Sequence, residues 1–322
     1  MIVALAGGVG GAKMAHGLAL ALAPEALTVI VNTGDDFDHY GLRICPDLDT
    51  VFYTLAGLAN ERTGWGVAGD TSAALDMLRR YGEEGWFWLG DRDLATSLLR
   101  TERLRAGTPL SAVTHALTQA VGVGVHLLPM SDSPVATIIQ TDQGELAFQE
   151  YFVRRRHQDV VTGVRFEGIE RAQPLPDALS ALAQAEAIIL CPSNPLLSIE
   201  PILRVSGMRE AVQAAAAPVV AVSPIIGGQA LKGPADSILS AQGFEVSPVG
   251  IARWYGALID GLVLDQTDAA LASDVEALGT RTLITQTIMR DHADRERLAR
   301  ETLAFAATLR SANTSPTPQE SL

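Results

Sequence analysis

The sequence begins with a short apolar run, Met1 to Ala6, that breaks directly into Gly7-Gly8-Val9-Gly10-Gly11-Ala12-Lys13 and then into an Ala/Leu-rich stretch from Met14 to Leu22. Apolar run, four glycines and helix-former stretch read as strand, tight turn and helix. Glycines let a backbone approach a ligand closely, and the free N–H groups of a helix start favour an anion, usually a phosphate. A second apolar run, Leu27 to Val31, falls where the next strand of a βαβ unit belongs, and ends in Asn32-Thr33-Gly34-Asp35-Asp36. Soon after comes Cys45-Pro46-Asp47-Leu48-Asp49-Thr50. A phosphate cradle and a carboxylate cluster are thus expected at strand ends, where open α/β sheets bind ligands. Phosphate beside carboxylate is consistent with a shared divalent cation and with metal-assisted chemistry on a phosphate ester.

The glycine turn lacks the Gly-Lys-Ser/Thr of a P-loop. It also departs from the dinucleotide fingerprint: Lys13 stands where the third small residue belongs, and the second strand ends in Asn32 rather than an acid. Charge supports the phosphate reading. The 322-residue chain has a formal net charge of −13, which argues against non-specific binding to nucleic acid or anionic membranes. Of its 24 basic Lys and Arg residues only two are lysines, Lys13 and Lys232, and both sit in glycine-rich loops. Cys45 and Cys191 are each followed by proline and read as buried thiols. No signal-peptide pattern and no long apolar span appear, so a cytoplasmic location is expected.

Further along, Asp70-Thr71 can cap a helix bearing Ala74, Leu75, Leu78 and Tyr81, and Trp86-Phe87-Trp88 reads either as core or as a wall for a flat ligand. Asp91 or Asp93 can cap the next helix, and Pro109 starts another. From Val123 the pattern turns strand-like: Val123–Leu128, Val135–Thr141 and Glu145–Phe152. Arg154-Arg155-Arg156-His157 reads as a solvated face or as a guard for an acidic substrate. Helix resumes at Ala178–Ala185. Two apolar runs then end in polar turns, Ala187–Leu190 in Cys191-Pro192-Ser193-Asn194-Pro195 and Pro218–Val222 in Ser223-Pro224-Ile225-Ile226-Gly227-Gly228. Strands are also expected near Glu245–Val249 and Leu262–Asp265, then a helix from about Arg290 to Leu309. The fold class is therefore α/β, a Rossmann-like, mostly parallel sheet with helices on both faces and a smaller inserted α+β subdomain. One domain over 1–310 is expected, with its core at about 1–60 and 178–285 and its insertion at about 61–177. The polar tail 311–322 reads as disordered.

Six motifs, in the order Leu5–Lys13, Asn32–Asp36, Cys45–Thr50, Leu89–Thr96, Pro192–Pro195 and Ser223–Gly228, resemble the 2-phospho-L-lactate transferase family of coenzyme F-420 biosynthesis. The resemblance implies transfer of a phosphorylated three-carbon acid from a guanosine diphosphate-linked donor to the ribityl hydroxyl of the deazaflavin Fo, with release of GMP, assistance by Mg²⁺ and a homodimeric enzyme. It assigns acceptor binding to Asp49 and Arg92. Gly8, Val9, Gly10, Gly11 and Lys13 would hold phosphate, with Ser193, Asn194, Pro195, Ser223, Ile225, Gly227 and Lys232 around the nucleotide. Asp49, Asp36, Asp35 and Asp47 are the metal-ligand candidates, with Asp49 and Asp36 the candidate catalytic carboxylates. The acid carried by the donor stays open between phospholactate, phosphoenolpyruvate and phosphoglycerate, with Arg43 or the Arg154–Arg156 run as its possible reader. The alternative in the same superfamily is a regulatory protein that binds a sugar nucleotide.

Overall fold

The computed structural model describes residues 1–233 and 235–314. Seven parallel strands form the central sheet: β1 (Ile2–Ala6), β2 (Leu27–Val31), β3 (His126–Pro129), β4 (Ala187–Leu190), β5 (Val219–Val222), β6 (Gly261–Asp265) and β7 (Arg281–Thr285). Their spatial order is β3-β2-β1-β4-β5-β6-β7. The chain winds outward in one direction from β1, then returns to β4 and winds the other way. That reversal opens a crevice between the carboxyl ends of β1 and β4, the place where doubly wound sheets bind their ligands.

Strand side chains alternate between two separate cores, as the twofold period of a strand requires. Val3, Leu5, Ile188, Leu190, Val219 and Ala221 enter one core, which is covered by the helices Pro176–Ala183, Ala235–Ala241 and Pro248–Tyr255. Ile2, Ala4, Ala6, Ala187, Ile189, Val220 and Val222 enter the other. That second face carries α1 (Gly8–Ala21), α2 (Pro46–Leu55) and α4 (His292–Thr314), while α3 (Asp91–Arg105) packs further out against the hairpin Phe37–His39/Leu42–Ile44. Both faces of the sheet are thus apolar, which is why its strands read as unbroken hydrophobic runs.

The segment 61–177 holds a three-stranded antiparallel sheet, Gly144–Ala147, Ala136–Thr141 and Val161–Glu167. It also supplies β3, which pairs in parallel with β2, so the central sheet takes an edge strand from inside the expected insertion. Several element expectations are corrected. Glu245–Val249 is not a strand: Ser247 caps a helix that begins at Pro248, its hydroxyl accepting from Gly250 N at 3.2 Å. The strand expected over Glu145–Phe152 stops at Ala147, and Glu150–Arg154 is a helical turn. The last helix runs on to Thr314, past the expected start of a disordered tail, and 315–322 lie outside the described residues. No helix among the described residues is long and apolar enough to cross a membrane.

Candidate active site

A cleft of about 750 Å³ opens over the carboxyl ends of β1, β4, β5 and β7. The glycine turn forms its floor, and each glycine there has a separate reason. A methyl on Gly10 would run into the Pro192 carbonyl oxygen, and one on Gly11 would come within 2.5 Å of Ser193 Oγ. These two glycines let the start of α1 press against the turn after β4. Gly8 adopts φ +62°, a left-handed conformation, and lines the cleft. Gly8, Val9, Gly10 and Lys13 face the cavity, whereas Gly11 is in the packing behind it.

The four aspartates divide into two pairs. Asp35 and Asp47 line the cleft. Asp47 Oδ2 accepts from the Asn32 amide at 2.9 Å, and Asn32 also donates to the Leu197 carbonyl at 3.2 Å. Burial pushes the Asp35 carboxyl well above the usual carboxylate range, and the neighbouring Asp47 carboxylate pushes it further; burial raises Asp47 as well. Asp35 Oδ1 is buried without a hydrogen-bond partner. Asp49 and Asp36 form the second pair, around Arg100. Both oxygens of Asp49 are taken by Arg100, Nη1 to Oδ2 at 3.0 Å and Nη2 to Oδ1. Asp49 still borders the cleft, but Asp36 lies behind it, beside Cys45, and burial raises its pKa to about 7. Both cysteines are buried thiols.

Among the described residues no three His, Cys, Asp or Glu side chains converge as metal ligands. Asp35 and Asp47 nevertheless suit a divalent cation. They are two mutually repelling carboxylates, one with an unpartnered oxygen, facing a cleft that can admit phosphate oxygens to complete the shell. Mg²⁺ commonly uses one or two carboxylates plus substrate phosphates.

Both lysines line the cleft. Lys13 Nζ donates to the Met289 carbonyl at 2.7 Å and Lys232 Nζ, near the rim, to the Thr63 carbonyl at 2.7 Å. Burial lowers the pKa of Lys13, and Arg295 and Lys232 lower it further, so positive charge accumulates at this spot in an acidic chain. Of the later loops, Ser193, Asn194 and Ser223 line the cleft, whereas Pro195, Ile225 and Gly227 do not. Ser193 Oγ is committed to the Gly7 peptide, donating to its oxygen at 2.8 Å and accepting from its nitrogen at 3.2 Å. Ser223 Oγ is likewise held by Ile225. Asn194 differs: its oxygen caps Leu196 N and Leu197 N at 3.0 Å each, while its buried NH₂ has no partner and is free to donate to a ligand.

The opposite wall is aromatic. Half-buried Trp86, Phe87 and Trp88 line the cleft with Trp65, whose ring centroid lies 5.5 Å from that of Trp88. Arg92 does not reach this wall. Its exposed guanidinium donates to the Ala68 carbonyl at 2.7 Å, and its backbone N–H to Asp70. The neighbouring residue does: Asp93 lines the cleft and accepts from Tyr53 Oη at 2.7 Å. Burial, with Asp49 nearby, raises Asp93 to about 7. The helix caps are exchanged relative to expectation. Asp91 accepts from Ala73 N and Ala74 N of the preceding helix, while Asp70 accepts from Arg92 N and Asp93 N. Freed from capping, Asp93 turns inward. Sequence alone reads Asp93 as a helix cap and gives Arg100 no role, although their spacing of seven places them on one helix face, the only available signal. The basic run is surface: Arg154 pairs with Glu84 and Glu150, and Arg155 with Asp159. Arg43 pairs with Asp38 at 3.0 Å, outside the lining.

This arrangement has known counterparts. Residues 2–303 match the model of the family described as 2-phospho-L-lactate transferase CofD. The chain belongs to that family. It is 45% identical to a phosphoenolpyruvate transferase of Streptomyces griseus over 315 residues, covering 96% of this chain and 99% of the relative. It is 39% identical to a 2-phospho-L-lactate transferase of Methanothermobacter thermautotrophicus over 300 residues, covering 93% and 96% of the two chains. In structure it is similar to a upf0052 family protein of Bacillus halodurans, with TM-score 0.62 at 15% identity over 94% of this chain and 98% of that one, a likeness of fold. The CofD-family chain is thus a transferase with a seven-stranded parallel α/β core.

Proposed function

We propose that this enzyme transfers an enolpyruvyl phosphate group from a guanosine diphosphate-linked donor to the ribityl hydroxyl of the deazaflavin Fo, releasing GMP, in coenzyme F-420 biosynthesis. The observation that carries the reading is the family match along the chain combined with a cleft that is basic and amide-rich at one end and aromatic at the other. The choice of enolpyruvyl over lactyl draws on the relatives. Those named phosphoenolpyruvate transferase are 43–47% identical, and two named 2-phospho-L-lactate transferase are 39–40% identical.

In this reading a bond forms between the ribityl oxygen and the acid-bearing phosphorus, and the phosphorus–oxygen bond to GMP breaks. Such a displacement depends on positioning and charge neutralisation more than on covalent catalysis. Lys13 and the amides at Gly8 to Gly10 hold the diphosphate, and the Asn194 NH₂ donates to the nucleotide. The Trp86–Trp88 wall stacks the deazaflavin, directing its ribityl chain to Asp93. Asp93, with a pKa near neutrality, is suited to accept the hydroxyl proton, while Tyr53 holds the carboxylate in place. Arg100 fixes Asp49 at the cleft edge, where it can bind the acceptor. Mg²⁺, when bound, would be held by Asp35 and Asp47 and would neutralise charge on the transferred phosphate.

The test is turnover with Fo, Mg²⁺ and, in separate reactions, the guanylylated phosphoenolpyruvate, phospholactate and 3-phosphoglycerate donors, with product mass as the readout. The enolpyruvyl product should dominate. A phospholactyl product would redirect the donor choice, and no product from folded protein that also fails to bind Fo would overturn the reaction class.

A further inference from the structure

Behind the glycine turn lies a second, partly open cavity of about 150 Å³, bordered by α1, the 57–64 loop and the start of α4. It meets the main cleft at Val9 and Lys13, which line both. His16 reaches it from α1, and His292 and Arg295 reach it from α4. The His16 and His292 rings lie 4.8 Å apart. Among the described residues lining this cavity, Glu61 is the one carboxylate. Glu61 accepts from His292 Nε2 at 3.0 Å and from Arg295 Nη2 at 3.1 Å, but it is 62% exposed and sits on the solvent side. The Arg295 side chain is 7% exposed, and its Nε donor has no partner. His16 Nδ1 is also buried and unpartnered. In a chain of formal net charge −13, four basic side chains therefore line one small space, and two of them, Arg295 and His16, keep a buried nitrogen without a partner. A buried arginine N–H without an acceptor is unfavourable, and an anion relieves that deficit while answering the positive charge of Arg295 and Lys13. At roughly 30 Å³ per water, the cavity has room for about five waters, enough for one tetrahedral oxyanion.

We propose that this cavity is a second oxyanion site that takes a phosphate group, with Arg295 Nε and His16 Nδ1 as its inner donors and Lys13 linking it to the main cleft. The phosphate is either free inorganic phosphate or the terminal phosphate of a nucleotide whose remainder lies in the main cleft. The inference rests on the cavity itself and does not require a guanosine-linked donor.

The experiment is a titration of the full-length protein with inorganic phosphate, followed through the imidazole NMR signals of His16 and His292, which His16→Gln and His292→Gln assign. Burial, then Arg295 and His292, lower the pKa of His16 to about 4, with Glu61 opposing them. Saturable shifts of both histidines are expected, with the His16 pKa rising by about a unit or more as the anion offsets its cationic neighbours. Arg295→Gln should weaken phosphate binding by about tenfold or more. Should that variant misfold, the exposed His292→Gln, read at His16, supplies the same comparison with a smaller loss. Asn194→Ala removes the unpartnered amide donor of the main cleft, lies outside the second cavity, and should change the affinity read at His16 less than about threefold. Unmoved histidine signals, or shifts abolished by Asn194→Ala, would overturn the proposal. The same titration with GMP, GDP and GTP separates the sources. Displacement of phosphate at His16 assigns the site to a nucleotide's terminal phosphate, and nucleotide binding that leaves His16 unchanged assigns it to the free anion.

Discussion

Removing the Arg100 guanidinium gives the most direct test of how the acidic end of the cleft is built. Arg100 and Asp49 are 1% and 5% exposed, and two hydrogen bonds join them, so neither charge has water as a substitute partner. Arg100→Gln leaves Asp49 as a buried carboxylate without its counter-ion, and breaking a buried pair in this way costs about 3–5 kcal/mol. Asp49→Asn strands the guanidinium and should cost a similar amount. The double variant removes both charges at once and should cost well under the sum, with a coupling of about 2 kcal/mol or more, within the range seen for contacting residues. At roughly 2–4 °C per kcal/mol for a sizeable domain, each single variant should melt on the order of 10 °C below the parent. The assay is urea unfolding at pH 7.5 followed by tryptophan fluorescence, with the four proteins of the cycle compared at one temperature. Single-variant losses that add to within about 0.5 kcal/mol would refute the pairing, because independent sites behave that way. A consequence for activity follows. Loss of turnover in Asp49→Asn counts as a site effect only after its stability has been measured, since Asp49 serves both the fold and the cleft.

Asp93→Asn should lower kcat by about 10²–10⁴-fold, the usual contribution of a general base, and should abolish a rise of rate with pH through about 7. Because its folded pKa is raised, Asp93 favours the fold fully below about pH 4 and loses that contribution as the pH climbs through 7, so Asp93→Asn should be the more stable protein at pH 8. A flat parent pH–rate profile would remove Asp93 from proton transfer. Lys13→Ala should weaken GDP binding by roughly 10- to 100-fold, as loss of a charge-assisted hydrogen bond does, while leaving Fo affinity unchanged in calorimetry. An unchanged GDP affinity would remove Lys13 from the phosphate cradle. Gly10→Ala should destabilise by about 1–3 kcal/mol, since the new methyl meets the Pro192 carbonyl oxygen rather than a yielding side chain. A neutral substitution there would mean that the turn after β4 moves freely.

Much of this molecule is legible in the chain itself. Runs such as Ile2–Ala6 and Ala187–Leu190 are apolar at every position because both faces of the sheet are buried, and the glycine turn follows directly from the strand–helix junction. Periodicity and turn chemistry are local, so they survive in the sequence. Other outcomes needed the third dimension. His126–Pro129 joins the central sheet although it lies in the middle of the insertion, since strand pairing is decided by long-range register rather than by neighbours in the chain. Asp35, Asp36, Asp47 and Asp49 look equivalent as a string of acids. Only the fold sets Asp35 beside Asp47 at the cleft and gives Asp49 to an arginine fifty-one positions away. The same holds for Asp93, which looks like a helix cap until Asp70, from an earlier loop, supplies the cap and releases it. Charge partners and burial are properties of contacts between distant segments, and they decide which carboxylate faces substrate and which holds the scaffold.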